Sequence, residues 1–242
     1  MFNKQVSIGV DREEILGTFA LPKTGTPGIL FLHGWAGSQK RDMERAQHMA
    51  ALGCICFTFD MRGHAGTLSR VETVTRGDNL SDVLAAYDVL ASHPSVDPAA
   101  IAVVGSSYGG YLASILTSLR PVRWLALRAP ALYRDQNWDV PKASLDRADL
   151  VRYRSSLIPT DENRALRNCR SFQGDVLIIS SEKDEIIPST VIASYRAAFL
   201  YAHSITSRVI GGADHALTSA ECQRAYDCLL LRWLREMVLG AR

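Results

Sequence analysis

Gly105-Ser106-Ser107-Tyr108-Gly109 places a serine between two glycines, directly after the apolar run Ile101-Ala102-Val103-Val104 and ahead of a helical stretch. A tight strand-to-helix turn lifts such a hydroxyl clear of the backbone, and glycines two positions to either side permit the close approach that the turn demands. The string alone is common, and its setting between strand and helix is what gives it weight. A serine hydroxyl attacks a carbonyl only when a neighbouring base takes its proton and a third group holds that base in orientation. An acid and then a histidine are therefore sought downstream. Val176-Leu177-Ile178-Ile179-Ser180 reads as a buried strand opening into Ser181-Glu182-Lys183-Asp184-Glu185. Asp184 falls just past the strand's carboxyl end, where open α/β sheets build their sites. Glu182 and Glu185 compete with it, and any of the three is otherwise a solvated loop charge.

Six histidines are present. His33, His64 and His215 each follow an apolar strand, whereas His48, His93 and His203 fall in or beside helices. The chain order serine, acid, histidine selects His215, in Gly211-Gly212-Ala213-Asp214-His215. Acyl transfer also needs donors for the negative charge that develops on the carbonyl oxygen. The Tyr108 amide, in the first turn after the serine, is one expected donor. The Trp35 amide, in the glycine-rich turn His33-Gly34-Trp35-Ala36-Gly37, is the other; without the remaining groups that turn would be only a β-to-α connection. No metal or organic cofactor is needed for this chemistry.

Elements able to position these groups alternate along the chain. Phe2 to Val10 and Ile15 to Leu21, joined around Asp11-Arg12-Glu13, read as an antiparallel hairpin. Strands are then expected over 28–32, 54–60, 101–105, 124–127, 176–180 and 207–210, and helices over 41–52, 80–91, 108–119, 190–200 and 220–237. Repeated β-then-α units with continuously apolar strands imply an α/β fold: a mostly parallel sheet buried on both faces, with right-handed crossovers. Residues 131–172, rich in Arg and Asp and carrying Pro141 and Pro159, exceed an ordinary connection and are expected to form a lid inserted in one domain spanning 1–242.

The length of 242 residues suits one large core. With 47% hydrophobic and 21% charged residues the chain is globular rather than disordered. A net charge of +2 argues against nucleic acid or an anionic membrane as the main partner and leaves a small acyl substrate. The N-terminus lacks the pattern of a signal peptide and no long uncharged apolar span occurs, so a cytoplasmic location is expected. Five scattered cysteines do not form a disulfide framework, and Cys54 and Cys56, two apart in a strand, are expected to pack in the core. Oligomeric state is not legible: the apolar positions of the last helix, such as Tyr226, Leu230 and Trp233, suit the face that meets the sheet.

These segments together resemble the α/β-hydrolase superfamily, in particular the bacterial serine-aminopeptidase-like and feruloyl-esterase-like hydrolases. The resemblance rests on 33–37, on Asp60-Met61-Arg62-Gly63-His64-Ala65-Gly66, on the turn around Ser107, on 183–188 and on Asp214-His215, and covers nearly the whole chain. It implies an α/β-hydrolase fold, a triad of Ser107, Asp184 and His215, and an oxyanion hole from the Trp35 and Tyr108 amides. Ala65 between His64 and Gly66, and Ser181 where glycine is common, depart from the usual pattern without touching a catalytic atom; His64 is given a supporting role at most. A carboxylic ester is the expected substrate, with amide, aminoacyl or thioester cleavage by the same residues, and ligand binding without catalysis, as alternatives. Trp35, Tyr133, Trp138 and Tyr153 are candidates for an aromatic acyl pocket, and Arg134, Arg147, Arg152 and Arg154 for meeting a carboxylate; packing and solvated surface are the plainer accounts of each set.

Overall fold

The computed structural model describes residues 2–11, 13–21 and 27–240. Strands β1 (Phe2–Val10) and β2 (Glu13–Leu21) pair antiparallel, with Val10 opposite Glu13; Arg12 of their connection lies outside the described residues. Then follow β3 (Gly28–Leu32), α1 (Lys40–Ala51), β4 (Ile55–Phe59), α2 (Arg76–Ala91), β5 (Ile101–Ser106), α3 (Tyr108–Leu116) and β6 (Trp124–Arg128). The chain closes with α4 (Arg147–Arg154), α5 (Arg164–Ser171), β7 (Asp175–Ser181), α6 (Ser189–Ala198), β8 (Ser204–Ile210) and α7 (Ala220–Gly240). The eight strands lie in the order β1-β2-β4-β3-β5-β6-β7-β8, with every pair from β4 to β8 parallel. This is the mostly parallel sheet with an N-terminal antiparallel hairpin that the alternation implied.

Alternate residues of each strand face opposite layers. Leu30, Leu32, Val103, Leu125 and Leu127 join one apolar core with Val83 of α2, Leu112 of α3, Leu166 of α5 and Tyr195 of α6. Ile29, Phe31, Ala102, Val104 and Leu177 join the other with Met49 of α1 and with Tyr226, Leu230 and Trp233 of α7. Cys54 and Cys56 are buried in this second layer.

Beyond shifts of up to three residues at other element ends, such as β8 starting at Ser204 and α3 ending at Leu116, three differences from expectation bear on the site. Helix α2 starts at Arg76 rather than Leu80, because Thr75 and Asp78 close a capping box: the Asp78 N–H donates to Thr75 Oγ1 (3.0 Å) and the Thr75 N–H to Asp78 Oδ2 (2.8 Å). Strand β6 runs one residue past Leu127, to Arg128, which lies opposite Ser106. The stretch 131–172 is not exposed throughout. Ala131, Leu132 and Tyr133 are buried at its start, and α5 buries Ala165, Leu166 and Cys169 at its end, so both ends belong to the core.

A buried polar cluster fastens the turn after β4 to α2. Arg62 and Asp82 are both nearly inaccessible; Arg62 Nε donates to Asp82 Oδ1 (2.6 Å) and the Arg62 amide to Asp82 Oδ2 (2.8 Å). Asn79 Nδ2 donates to the same carboxylate (3.1 Å), and the Tyr108 hydroxyl donates to Asn79 Oδ1 (3.1 Å). Removing one member of a buried ion pair leaves the other charged and desolvated. Asp82→Ala should therefore lower stability by about 3–5 kcal/mol, read as a fall in the urea midpoint, whereas an exposed pair such as Arg120 with Asp88 should give less than about 1 kcal/mol.

Candidate active site

Ser107 joins β5 to α3 with φ 50° and ψ −112°, a backbone region that residues bearing a Cβ rarely occupy. Its amide donates to the Arg128 carbonyl (2.8 Å), and its own carbonyl accepts from the Ala131 amide (2.9 Å), so the chain leaving β6 clamps it on both sides. The flanking glycines are required by contact. A Cβ on Gly105 would lie 2.6 Å from the Gly109 carbonyl oxygen, and one on Gly109 would lie 2.3 Å from that of Leu32.

The structure brings Ser107, His215 and Asp184 together. His215 Nε2 lies 3.0 Å from Ser107 Oγ, and His215 Nδ1 lies 2.8 Å from Asp184 Oδ2. A carboxylate accepts, so Nδ1 carries the proton and Nε2 is left free to take one. Burial works against the Asp184 charge, but hydrogen bonds from His215 and from the Ile187 and Ile186 amides outweigh it and hold its carboxyl below the ordinary range. The loop bearing His215 is fixed independently: Asp214 accepts from the Thr218 amide and hydroxyl, and Lys183 donates its amide to the Ala213 carbonyl. Glu182 accepts from the Gly212 amide, which makes it a brace for that loop, and Glu185 is exposed.

His33 sets the turn facing the serine. Its Nδ1 lies 2.8 Å from the Gly34 carbonyl, which can only accept, so Nδ1 carries the proton and Nε2 accepts from the Met61 amide (3.1 Å). Burial keeps this ring neutral by lowering its pKa. The Gly34 carbonyl also accepts from the Gly37 amide (3.0 Å), and a Cβ on Gly34 would stand 3.4 Å from that of Ser107. Among the described residues the amides of Trp35 and Tyr108 have no hydrogen-bond partner.

A cavity of about 740 Å³ opens beside Ser107. It is lined by the 33–37 turn, the start of α1, His64, Arg128, His215 and Tyr226. Of the four aromatic pocket candidates only Trp35 lines it, which corrects the expectation for the other three. Tyr133 packs edge-on to Tyr108 and Tyr111, Trp138 stacks on Tyr111, and Tyr153 lies under Arg134 with its hydroxyl on Asn163. The candidate arginines are also elsewhere: Arg134 and Arg152 pair with Asp149, Arg154 is buried against the Leu132 carbonyl, and Arg147 is exposed at the start of α4. Rings in the insertion are consumed by anchoring it, with Arg76 donating to the carbonyls of Arg134, Gln136 and Asn137.

Sequence reasoning missed Lys142, whose amine sits over the rings of Trp35, Tyr108 and Tyr133, and whose pKa burial and neighbouring arginines push down to about 8. It also missed Arg128, although a charge closing an otherwise apolar strand was a visible signal. Among the described residues no cluster of three or more His, Cys, Asp or Glu could hold a metal ion, and no helix is long and apolar enough to cross a membrane.

The chain matches the model of the alpha/beta hydrolase family over residues 29–225. Two uncharacterized proteins of Mycobacterium tuberculosis strains are each 30% identical to it over 184 residues, which make up 73% of this chain and 60% of theirs. The chain thus spans about 60% of the length of the curated relatives it matches. Among solved structures, dienelactone hydrolase from Anabaena variabilis is similar with a TM-score of 0.71 at 19% identity, covering 98% of each chain. Est1E from Butyrivibrio proteoclasticus with ferulic acid bound gives 0.73 at 17% identity, over 97% of this chain and 99% of that one. Acylaminoacyl peptidase from Pyrococcus horikoshii gives 0.73 at 16%, over 98% of this chain and 42% of that one. At these identities the likeness to the solved structures is one of fold.

His64 yields a pH prediction. Its Nδ1 donates to the Arg62 carbonyl (3.1 Å) and its Nε2 is sealed without a partner. Burial first, and then repulsion from His33, lower its pKa from 6.5 to about 4. The unfolded chain therefore binds this proton first as the medium is acidified. Between pH 6.5 and 4 His64 should remove up to about 3 kcal/mol of stability. Urea unfolding at pH 7 and pH 4 should show a smaller loss for His64→Gln than for the unaltered protein; equal losses would refute the assignment.

Proposed function

The chain belongs to the alpha/beta hydrolase family, and from that premise we propose that it is a serine hydrolase cleaving a carboxylic ester through an acyl-enzyme on Ser107. The observation that carries this reading is the continuous pair of contacts from Ser107 Oγ to His215 Nε2 and from His215 Nδ1 to Asp184. His215 takes the hydroxyl proton as Ser107 Oγ bonds to the acyl carbon, and the carbonyl electrons move onto its oxygen. Asp184 keeps the imidazole in the tautomer that can accept. The unpartnered Trp35 and Tyr108 amides receive the oxyanion, each donor of this kind being worth about a hundred- to a thousandfold. As the intermediate collapses, His215 returns the proton to the departing alcohol. A water then repeats the sequence on the acyl-enzyme, releasing the acid and restoring Ser107.

An ester fits this cavity better than the free amino terminus of a peptide. An ammonium group calls for an unpaired carboxylate, and among the described residues the one acid lining the cavity, Asp42, is already bound to Arg45 at 3.0 Å. A purely ligand-binding role has no use for an imidazole held within proton-transfer distance of a strained serine.

With p-nitrophenyl esters as substrates, Ser107→Ala should lower kcat by about a millionfold, and Asp184→Asn by about ten thousandfold, with folding unchanged by circular dichroism. A fluorophosphonate probe should label Ser107 in the native protein. Near-normal turnover by Ser107→Ala would sink the proposal.

A further inference from the structure

Beneath Ser107 the cavity reaches a cation that nothing in the proposed cycle uses. Arg128 is 6% exposed, sits opposite Ser106 across the β5–β6 ladder, and lines the cavity. Its Nη2 donates to Ser181 Oγ (2.9 Å) and to the Asp214 carbonyl (3.2 Å), both uncharged acceptors, while its Nε is sealed with no hydrogen-bond partner. Among the described residues no carboxylate lies within ion-pair distance of it. The acids closest in effect are engaged elsewhere, Asp184 by His215 and Asp214 by Thr218. Burial lowers the pKa of this guanidinium, and the opposing pull of Tyr226, Asp184 and Asp214 does not make up for it.

Two further observations converge on the same space. Tyr226 lines the cavity, and its hydroxyl, sealed beside the Ser106 side chain, has no hydrogen-bond partner. Arg41, at the rim, donates to the Ala216 carbonyl (3.0 Å) and has no acidic partner among the described residues. By contrast Arg45, which also lines the cavity, is neutralised by Asp42 (3.0 Å) and Asp227 (2.6 Å). The space beside the serine is therefore cationic, and its buried donors lack acceptors. A guanidinium fork and a phenol together suit a carboxylate, whose two oxygens take two donors at once.

We propose that Arg128, with the Tyr226 hydroxyl beside it and Arg41 at the rim, receives a carboxylate carried by the substrate, so that the ester cleaved is an anionic one. The proposal rests on the assignment of Ser107 as nucleophile, since the cavity joins the two. Attraction at Arg41 draws the anion in, and Arg128 holds it with the ester carbonyl at Ser107.

The test compares mono-p-nitrophenyl esters of the diacids from succinate to adipate with the same compounds capped as methyl esters. At one chain length or more, kcat/KM should favour the free carboxylate at least tenfold. Arg128→Gln should bring that ratio close to one, mainly through KM, and Arg41→Gln and Tyr226→Phe should each lower it at least threefold. Should Arg128→Gln fail to fold, the other two variants decide, and unchanged ratios in both overturn the proposal. Calorimetry on Ser107→Ala, with the diacids and the corresponding diamides as ligands, reads the cavity without chemistry: a diacid should bind at least tenfold more tightly than its diamide. Turnover of both ester series with no preference for the carboxylate overturns the anion receptor and leaves the serine hydrolase reading standing. Diacid binding without turnover or labelling of Ser107 supports the receptor and overturns the hydrolase reading. The absence of both diacid binding and carboxylate preference overturns the receptor.

Discussion

The left-handed backbone of Ser107 is the constraint on which the rest of this site depends. A residue with a Cβ held there costs about 1–3 kcal/mol, and such a conformation persists only where its surroundings over-determine it. Here the surroundings are specific. Gly105 and Gly109 leave room for the turn, the Arg128 carbonyl and the Ala131 amide hold its two ends, and β5 lies in the middle of the sheet with apolar layers on both faces. Relaxing the turn would require breaking hydrogen bonds to β6 or driving a side chain into the β3 backbone.

The turn is tied outward by polar contacts as well as packing. The Tyr108 hydroxyl meets Asn79, Asn79 meets Asp82, and Asp82 holds Arg62, so the residue after Ser107 is connected through α2 to the turn after β4. His33 closes the same circuit from the other side, holding the Gly34 carbonyl with one ring nitrogen and the Met61 amide with the other. Both circuits are buried, and hydrogen bonds there are strong because no water competes for them. The facing amides are thus positioned by Asn79, which lies outside the cavity, and by His33 in its wall.

The parts legible in the sequence were those written in local pattern. Ser107, Asp184 and His215 each lie at the carboxyl end of a short apolar run, and chain order was enough to choose among six histidines. The sheet followed from the same runs. What was not legible depended on partners far apart in sequence. The four-residue extension of α2 needed Asp78 to serve in a capping box, where Glu or Gln is the usual third member. Tyr133, Trp138 and Tyr153 have the composition of a pocket, but Arg76, Arg134 and Tyr111 occupy their faces. Arg128 was passed over because the apolar run was ended at Leu127, and the absence of an acid near it is visible only in three dimensions.

The pairing of Ser106 with Arg128 sets a fixed gauge. Neighbouring strands are about 4.8 Å apart, a spacing imposed by the backbone ladder and not adjustable by side chains or by movement of the insertion. The offset between the Ser106 and Arg128 backbones is therefore a property of the sheet itself. Any group that spans from Ser107 to Arg128 starts from that backbone spacing, and the Arg128 side chain and the rim are what substitution can tune.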